Sequence, residues 1–276
     1  MTDGVRSLLF APGNDPRKLS KALASCADVV IADLEDSVPA AEKANAREVA
    51  GSLLAGHRGP PRPMVRVNDM SSRELDADLE LTERLELAAI VVPKATPATL
   101  RALAGRQRHP IVAVIETAAG VLGAGEVAAS PGVRALALGS LDLAAECGLS
   151  PLPGGQELLL PRARLVFESA AAGIAAPYDG AYLQVRDRDG FEAEAKLARG
   201  LGFAGKVCLN PSQAEVANEV FSQEEERRWA ERTLEAHARA SADGRGAIEV
   251  DGEMIDIASV RRAERILALQ GNREDT

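Results

Sequence analysis

The sequence predicts an α/β fold, a (β/α)8 TIM barrel followed by a C-terminal helical and hairpin extension. Three observations predict it. Eight short apolar runs recur along the 276 residues, each of strand length and bounded by turn residues. Amphipathic segments rich in Ala, Leu, Glu and Arg separate most of them, the alternation of parallel βαβ units. The runs are continuously apolar, so both faces of each strand are to be buried, as in a barrel wrapped by helices. No GxGxxG or GxxxxGK[ST] pattern follows any run, which weighs against an open nucleotide-binding sheet.

In order, the strands are expected at 7–12 (SLLFAP), 28–33 (DVVIAD), 64–68 (MVRVN), 89–94 (AIVVPK), 111–116 (IVAVIE), 134–139 (RALALG), 173–178 (GIAAPY) and 206–210 (KVCLN). Helical segments follow the first four at 15–25, 40–54, 72–85 and 96–105, and two more lie at 160–172 and 191–202. Residues 1–212 are expected to form the barrel. Residues 213–276 do not fit the eight-fold repeat: a long polar helix at 223–241, a hairpin at 246–256 turning at Asp251-Gly252, and a last amphipathic helix at 258–269. Such an extension can cover the barrel mouth or reach a neighbouring subunit.

Composition narrows the function. Hydrophobic residues make up 46% and aromatics 3%, an ordinary globular balance with too few rings for a base-stacking surface. The formal net charge is −9, so a nucleic-acid backbone is repelled and no nucleic-acid partner is expected. No apolar run approaches the roughly 18–20 residues of a membrane helix, and the N-terminus reads as a mature cytosolic start, so a cytoplasmic location is expected. Three cysteines, Cys26, Cys147 and Cys208, stand far apart, which fits a reducing compartment. Cys208 reads as a small core residue.

In a barrel, chemistry gathers at the C-terminal ends of the strands. Those ends carry Pro12, Gly13 and Asn14; Asp33, Glu35 and Asp36; Arg66 and Asn68; Lys94; Glu116; Gly139 and Asp142; Tyr178 and Asp179; and Asn210. Several carboxylates around one mouth repel unless a cation lies among them. The three histidines, His57, His109 and His237, fall away from these tips, and no thiolate cluster exists. An all-oxygen site points to Mg2+, with Mn2+ as the alternative ion. Glu116 and Asp142 are expected as direct ligands, and Asp33, Glu35 and Asp36 as groups that orient waters and neighbouring cations. A carboxylate just past a strand also suits a helix cap, so Asp142 is equally placed to cap residues 143–147, and Asp36 or Ser37 the helix from Ala40. Acid–base work must fall to carboxylates, Lys94, tyrosine or metal-bound water. A cation beside Arg66 suits an enolate or a 2-oxo acid. Lys94 suits an ion pair with the acids, or a Schiff-base aldolase.

The motifs RSLLFAPGNDPRKLSKA (6–22), ADVVIADLEDSVPAAEKANAR (27–47), VRVN (65–68), VVPKA (91–95), VAVIETAAGVLGAGEVA (112–128), ALALGSLDLAAECG (135–148), GFAGKVCLNPSQ (202–213) and VDGEMID (250–256) run in one order along nearly the whole chain. In them the chain resembles the citrate lyase β-subunit-like CoA-ester lyases of the HpcH/HpaI aldolase superfamily. The resemblance implies a (β/α)8 barrel with a C-terminal extension, assembled as a homotrimer or hexamer. It implies that Glu116 and Asp142 hold Mg2+, that Arg66 binds the carboxylate or carbonyl of a 2-oxo acid, and that the acids of DLED lie near the metal. The first loop, Pro12, Gly13 and Asn14 with Arg17 and Lys18, lies where the family meets the phosphates of CoA, and backbone N–H groups at a helix start suit an anion. Asp256 is implied as the acid–base group that serves the acetyl-CoA enolate in a neighbouring subunit's site; a cap on helix 258–269 is its structural alternative. Three positions depart from the family pattern: Asn210 stands for a histidine, Ala258 for a proline and Leu141 for an acid.

The expected activity is cleavage of a 3-hydroxyacyl-CoA thioester of malyl-CoA or citramalyl-CoA type to a 2-oxo acid and acetyl-CoA. The alternatives are the β subunit of a citrate lyase, acting with α and γ subunits on citryl-acyl carrier protein, a CoA-free aldolase of hydroxy-oxo acids, and a non-catalytic binding protein on the same scaffold.

Overall fold

The computed structural model describes residues 4–222, 224–242, 248–250 and 253–271. Eight parallel strands close into a barrel in sequence order. They are β1 (Ser7–Pro12), β2 (Val29–Asp33), β3 (Arg62–Arg66), β4 (Ala89–Val92), β5 (Ile111–Ile115), β6 (Val133–Leu138), β7 (Tyr178–Asp179) and β8 (Gly205–Cys208). Closure comes from β1 pairing with β8, Leu8 opposite Val207. The wrapping helices are α1 (Pro16–Leu23), α2 (Lys43–Ala55), α3 (Leu75–Glu83), α4 (Pro97–Leu103), α5 (Ala118–Leu122), α6 (Ala124–Ala128), α7 (Ser140–Cys147), α8 (Leu159–Ala172), α9 (Arg188–Leu201) and α10 (Pro211–Val220).

The continuous apolarity of the strands divides into two cores. Leu8, Ile31, Met64, Val91, Val112 and Tyr178 fill the barrel. Leu9, Val30, Val65, Ile90, Ala113 and Leu136 alternate with them and pack against the helices. This alternation decides where the polar tips point. Asp33 continues the inward series of Val29 and Ile31, and Arg66 that of Met64. The parallel register sets Asp33 directly opposite Arg66.

Helix starts follow local chemistry. Asp15 caps α1 by accepting from the amides of Arg17 and Lys18. Thr96, Thr117 and Asp187 cap α4, α5 and α9, and Asn210 caps α10 by accepting from the amide of Gln213. Asp142 lies inside the first turn of α7, whose N-cap is Gly139, so it is not the cap of residues 143–147; Asp36 and Ser37 cap nothing either, because a 3-10 turn over Ala40–Glu42 begins after Pro39.

Other differences from the sequence reading have simple causes. The segment 173–178 is not a six-residue strand. Gly173 ends α8 in the left-handed conformation, φ 69°. Ala175 donates to the carbonyl of Arg134 beside β6. Regular pairing begins only after Pro177, which lacks the N–H a ladder needs. Helices α5 and α6 fill the interval before β6, and α10 follows β8 and packs beside β1.

The chain divides into two compact units, Met1–Phe221 and Ser222–Thr276, so α10 lies in the barrel unit rather than in the extension expected from residue 213. The second unit contains α11 (Glu224–Ala242), the antiparallel pair β9 (Ile248–Val250) and β10 (Glu253–Ile255), and α12 (Ile257–Gly271). Its expected turn at Asp251-Gly252 lies outside the described residues. Within it α11 and α12 pack together, with Arg262 over the ring of Trp229 at 4.6 Å. No helix among the described residues is long and apolar enough to cross a membrane.

Candidate active site

The strand tips meet around a cavity of about 650 Å3 at the C-terminal mouth of the barrel, lined among others by Phe10, Asp33, Arg66, Glu116, Gly139 and Asp142. Arg66 is its fixed cation. The guanidinium donates from Nε to Asp33 Oδ1 at 2.6 Å and from Nη2 to Asp33 Oδ2 at 2.8 Å. Nη1 faces Glu35 Oε2 at 3.1 Å and Asp36 Oδ2 at 3.7 Å, and the group lies over the Phe10 ring at 5.1 Å. A two-pronged pair of this kind fixes orientation as well as charge.

Asp33 is occupied on both oxygens. Besides Arg66 it accepts from the amides of Glu35 and Ser37. Burial raises its pKa, but Arg66 and these amides outweigh it, and the carboxyl lies below its ordinary range. The first acid of DLED therefore anchors a cation and shapes its own loop. That loop is tied from outside by Lys43, which donates to the carbonyls of Leu34 and Glu35, and by Asn68, which donates to Leu34. Asn68 in turn is held by the buried Asp78. Nothing in the sequence pattern singled out Lys43 or Asp78, because both act through backbone carbonyls or a neighbour far along the chain.

Glu35 is 4% exposed and pairs with Lys94, Nζ to Oε1 at 2.7 Å. Burial pushes its pKa up, only partly offset by Arg66 and Lys94. Asp36 is exposed. The Lys94 ammonium is thus an ion-pair partner of the acids.

Glu116 is 3% exposed and follows β5. Its Oε1 accepts the backbone N–H of Lys94 at 2.7 Å. On its other side stands Gly139, where a Cβ would lie 2.3 Å from Glu116 Cβ and 2.5 Å from Oε2. Burial, and then the charges of Glu35 and Asp142, push its pKa up to about 8. Asp142 lines the same cavity and has no hydrogen-bond or ion-pair partner among the described residues.

The donor set tests which ion fits. Among the described residues no three His, Cys, Asp or Glu side chains converge as a ready-made metal site. Two carboxylates, one buried against its charge and one unpartnered, instead fit an ion that takes few protein ligands and completes its shell with water and substrate, the habit of Mg2+. The side-chain space at Gly139 is taken by Glu116 itself, so the chain is built around this carboxylate. His109 is buried far from the mouth against the carbonyl of Thr82.

The first loop presents a second, open cavity of about 520 Å3 lined by Pro12, Asn14, Asp15, Pro16, Arg17, Lys18 and Ser37; Pro12 and Lys18 also line the acid cavity. Gly13 is required there by close approach: its N–H donates to Asp33 O at 2.8 Å, and a Cβ would meet that oxygen at 2.8 Å. The free helix-start amides expected here are not free, because Asp15 accepts those of Arg17 and Lys18, and Lys18 Nζ lies 3.4 Å from Asp15. The side chains of Arg17 and Lys18 are the cations this loop offers an anion. Asn14 donates to Glu42.

Two tip residues serve the scaffold. Asp179, together with Arg162 and Lys206, is wholly buried between β7–β8 and α8–α9. Arg162 holds it through Nε at 2.8 Å and Lys206 through Nζ at 2.6 Å, and Lys206 also holds Glu194 and the carbonyl of Gly180. Asn210 caps α10 and donates to Val185 O. Asp256 belongs to the second unit. It is exposed and accepts the amides of Ala258 and Ser259 at 2.9 Å, so it caps α12. The amide of Ser259 leads the contacts that hold its pKa below the ordinary range.

Relatives share both the fold and the sequence. Over 270 residues the chain is 36% identical to a (3S)-malyl-CoA thioesterase of Cereibacter sphaeroides, covering 95% of this chain and 93% of that protein. It is 34% identical over 280 residues to citrate lyase subunit beta of Leuconostoc mesenteroides subsp. cremoris, covering 96% and 92%. The crystal structure of CitE from Mycobacterium tuberculosis in complex with magnesium, acetoacetate and coenzyme A matches with a TM-score of 0.82 at 30% identity, over 98% of this chain and 100% of that one. Residues 6–211, which carry the whole acid cluster, match the HpcH/HpaI aldolase/citrate lyase family. By barrel and by sequence, the chain belongs to that family.

Proposed function

We propose that this chain is a Mg2+-dependent carbon–carbon lyase that cleaves a 3-hydroxyacyl-CoA thioester, of malyl-CoA or citramalyl-CoA type, to a 2-oxo acid and acetyl-CoA. One observation carries the reading: a doubly anchored guanidinium and a buried carboxylate with a raised pKa face one cavity. That pairing offers a fixed positive charge for a carboxylate and a place for a divalent cation beside it.

In this reading the Cα–Cβ bond of the thioester breaks. The hydroxyl gives its proton to solvent water and becomes the carbonyl of the oxo acid, and the bond's electron pair passes to the thioester as the acetyl-CoA enolate. Arg66 binds the carboxylate of the oxo-acid half and is kept from turning by Asp33. Mg2+, when bound to Glu116 and Asp142, supplies Lewis-acid polarisation of that same half. Asp256 of a neighbouring copy gives the enolate its proton in cleavage and takes the α-proton of acetyl-CoA in the reverse direction; its lowered pKa suits the latter. Arg17 and Lys18, with Pro12, Gly13 and Asn14, meet the phosphates of CoA. The protein would act in the cytoplasm as a homotrimer or hexamer.

The test is acetyl-CoA release from a panel of malyl-, citramalyl- and related CoA thioesters, with Mg2+ and with EDTA. EDTA-sensitive release from one of them supports the reading and names the oxo acid. Free CoA with an intact hydroxy diacid would replace it with a thioesterase, the activity for which the Cereibacter relative is named. Cleavage of citryl-acyl carrier protein alone would make the chain a citrate lyase β subunit, the name of the Leuconostoc relative, with α and γ subunits as partners. Turnover of CoA-free hydroxy-oxo acids alone would place it among the aldolases.

A further inference from the structure

The barrel mouth carries five carboxylates, Asp33, Glu35, Asp36, Glu116 and Asp142, of which the proposed chemistry wants two on the cation. Asp33 is consumed by Arg66, and Asp36 is an exposed rim residue 3.7 Å from Arg66 Nη1. Glu35 is the problem. It is buried, and its Oε2, 3.1 Å from Arg66 Nη1, accepts no hydrogen bond. Turned toward the cavity that Glu116 and Asp142 line, this carboxylate would become a third ligand, and a third ligand would occupy a coordination position that substrate needs.

We propose that Lys94 is the positioning residue that divides these acids, its amide aiming Glu116 at the cation and its ammonium holding Glu35 off it. This rests on the metal-dependent reading above and names how the site keeps its coordination open. Lys94 has φ 46°, the one positive φ at a non-glycine residue among those described. Glycine adopts that conformation freely and a lysine does not, so something other than the turn calls for the side chain. The geometry shows what. From one left-handed residue the N–H reaches Glu116 Oε1 and Nζ reaches Glu35 Oε1, each at 2.7 Å. Glu116 is thereby left with Oε2, the oxygen beside Gly139. Glu35 is left clamped between Nζ and the guanidinium of Arg66. Glu116 and Asp142 line the cavity, whereas Glu35 and Lys94 do not, as expected if the lysine keeps that carboxylate behind the wall.

The test uses Mn2+ as the probe, titrated into full-length protein without thioester, and reads its affinity and, from water-proton relaxation, the number of water molecules on the bound ion. Lys94→Met removes the ammonium and keeps the bulk. The expected result is Mn2+ bound about threefold tighter or more, since a nearby positive charge is gone and Glu35 keeps Arg66 alone as a cationic partner, with fewer waters on the ion. Turnover should fall about 10- to 100-fold. Lys94→Arg should keep the wild-type affinity and water number. Should Lys94→Met fold poorly, Lys94→Gly gives the same reading on a residue that prefers the turn. Unchanged or weaker Mn2+ binding with an unchanged water number in both variants overturns the proposal while leaving the lyase reading intact. If wild-type protein takes up no Mn2+ at all, the metal-dependent reading falls and the proposal with it.

Discussion

Gly139→Ala is the perturbation whose magnitude the structure sets most directly. The residue has φ −91° and ψ 76°, a backbone that alanine adopts without left-handed strain, so the penalty is one of contact. The new Cβ would lie 2.3 Å from Glu116 Cβ, 2.5 Å from its Oε2 and 3.0 Å from Val114 Cγ1. Ordinary contact begins at 3.4 Å, and a Cβ moves only with its backbone, so the chain carrying Glu116 must withdraw by about 1.1 Å, the difference between 3.4 and 2.3. It cannot do so freely, because Glu116 Oε1 is tied to the Lys94 amide at 2.7 Å. Overpacking of this kind costs about 1–3 kcal/mol, and a displacement of about 1 Å in a group that positions the reaction costs about 100-fold in rate. The assay is Mg2+-dependent acetyl-CoA release beside thermal unfolding. Gly148→Ala is the control: Gly148 has φ 66° with nothing within 4 Å, so alanine there costs about 1 kcal/mol through the backbone and should leave turnover unchanged. Wild-type turnover in Gly139→Ala would refute both the Glu116 assignment and the packing behind it.

Three further outcomes follow from the same geometry. With its pKa near 8 against an ordinary 4.5, Glu116 binds a proton in the folded state across a window in which the unfolded chain has lost it. Its contribution to stability therefore falls as pH rises from about 4.5 to 8. Wild type should lose stability relative to Glu116→Gln over that window, and Mg2+ affinity should rise with pH up to about 8 and then level off; pH-independent Mg2+ binding between 6 and 8 would contradict this. Asp179→Asn leaves Arg162 and Lys206 buried with one carboxylate fewer and should cost about 3–5 kcal/mol, read as a lower midpoint in urea. A change below about 1 kcal/mol would mean that the cluster carries little of the fold. Asp256→Asn keeps a side chain that caps α12, so its melting temperature should match wild type while acetyl-CoA release falls at least about 100-fold; retained turnover would remove Asp256 from the chemistry.

The barrel and the roster of its mouth are written in the sequence alone. Eight apolar runs of strand length, continuous rather than alternating, admit few arrangements other than a closed parallel sheet, and chemistry in such a sheet belongs at the C-terminal tips. Hence Arg66, Glu116 and Asp142 stand out from the amino-acid order itself, because Arg66 ends a run, Glu116 directly follows one and Asp142 comes within the turn after another. The local signals faded where the run was short or interrupted: Gly173 and Pro177 reduce β7 to Tyr178–Asp179, and the small helices α5 and α6 are too short to show a period. Which acid does what is a matter of tertiary contacts. Asp33, Glu35 and Asp36 are near neighbours in sequence, yet one is locked to Arg66 by inter-strand register, one is buried against Lys94 and one is exposed at the rim. Asp179 ends its strand as Asp33 does, but it lies between barrel and helices with Arg162 and Lys206. The physical reason is that a strand gives each residue its facing through a period of two, whereas the charge state and role of a carboxylate depend on partners supplied by other strands, which are close in space and far along the chain.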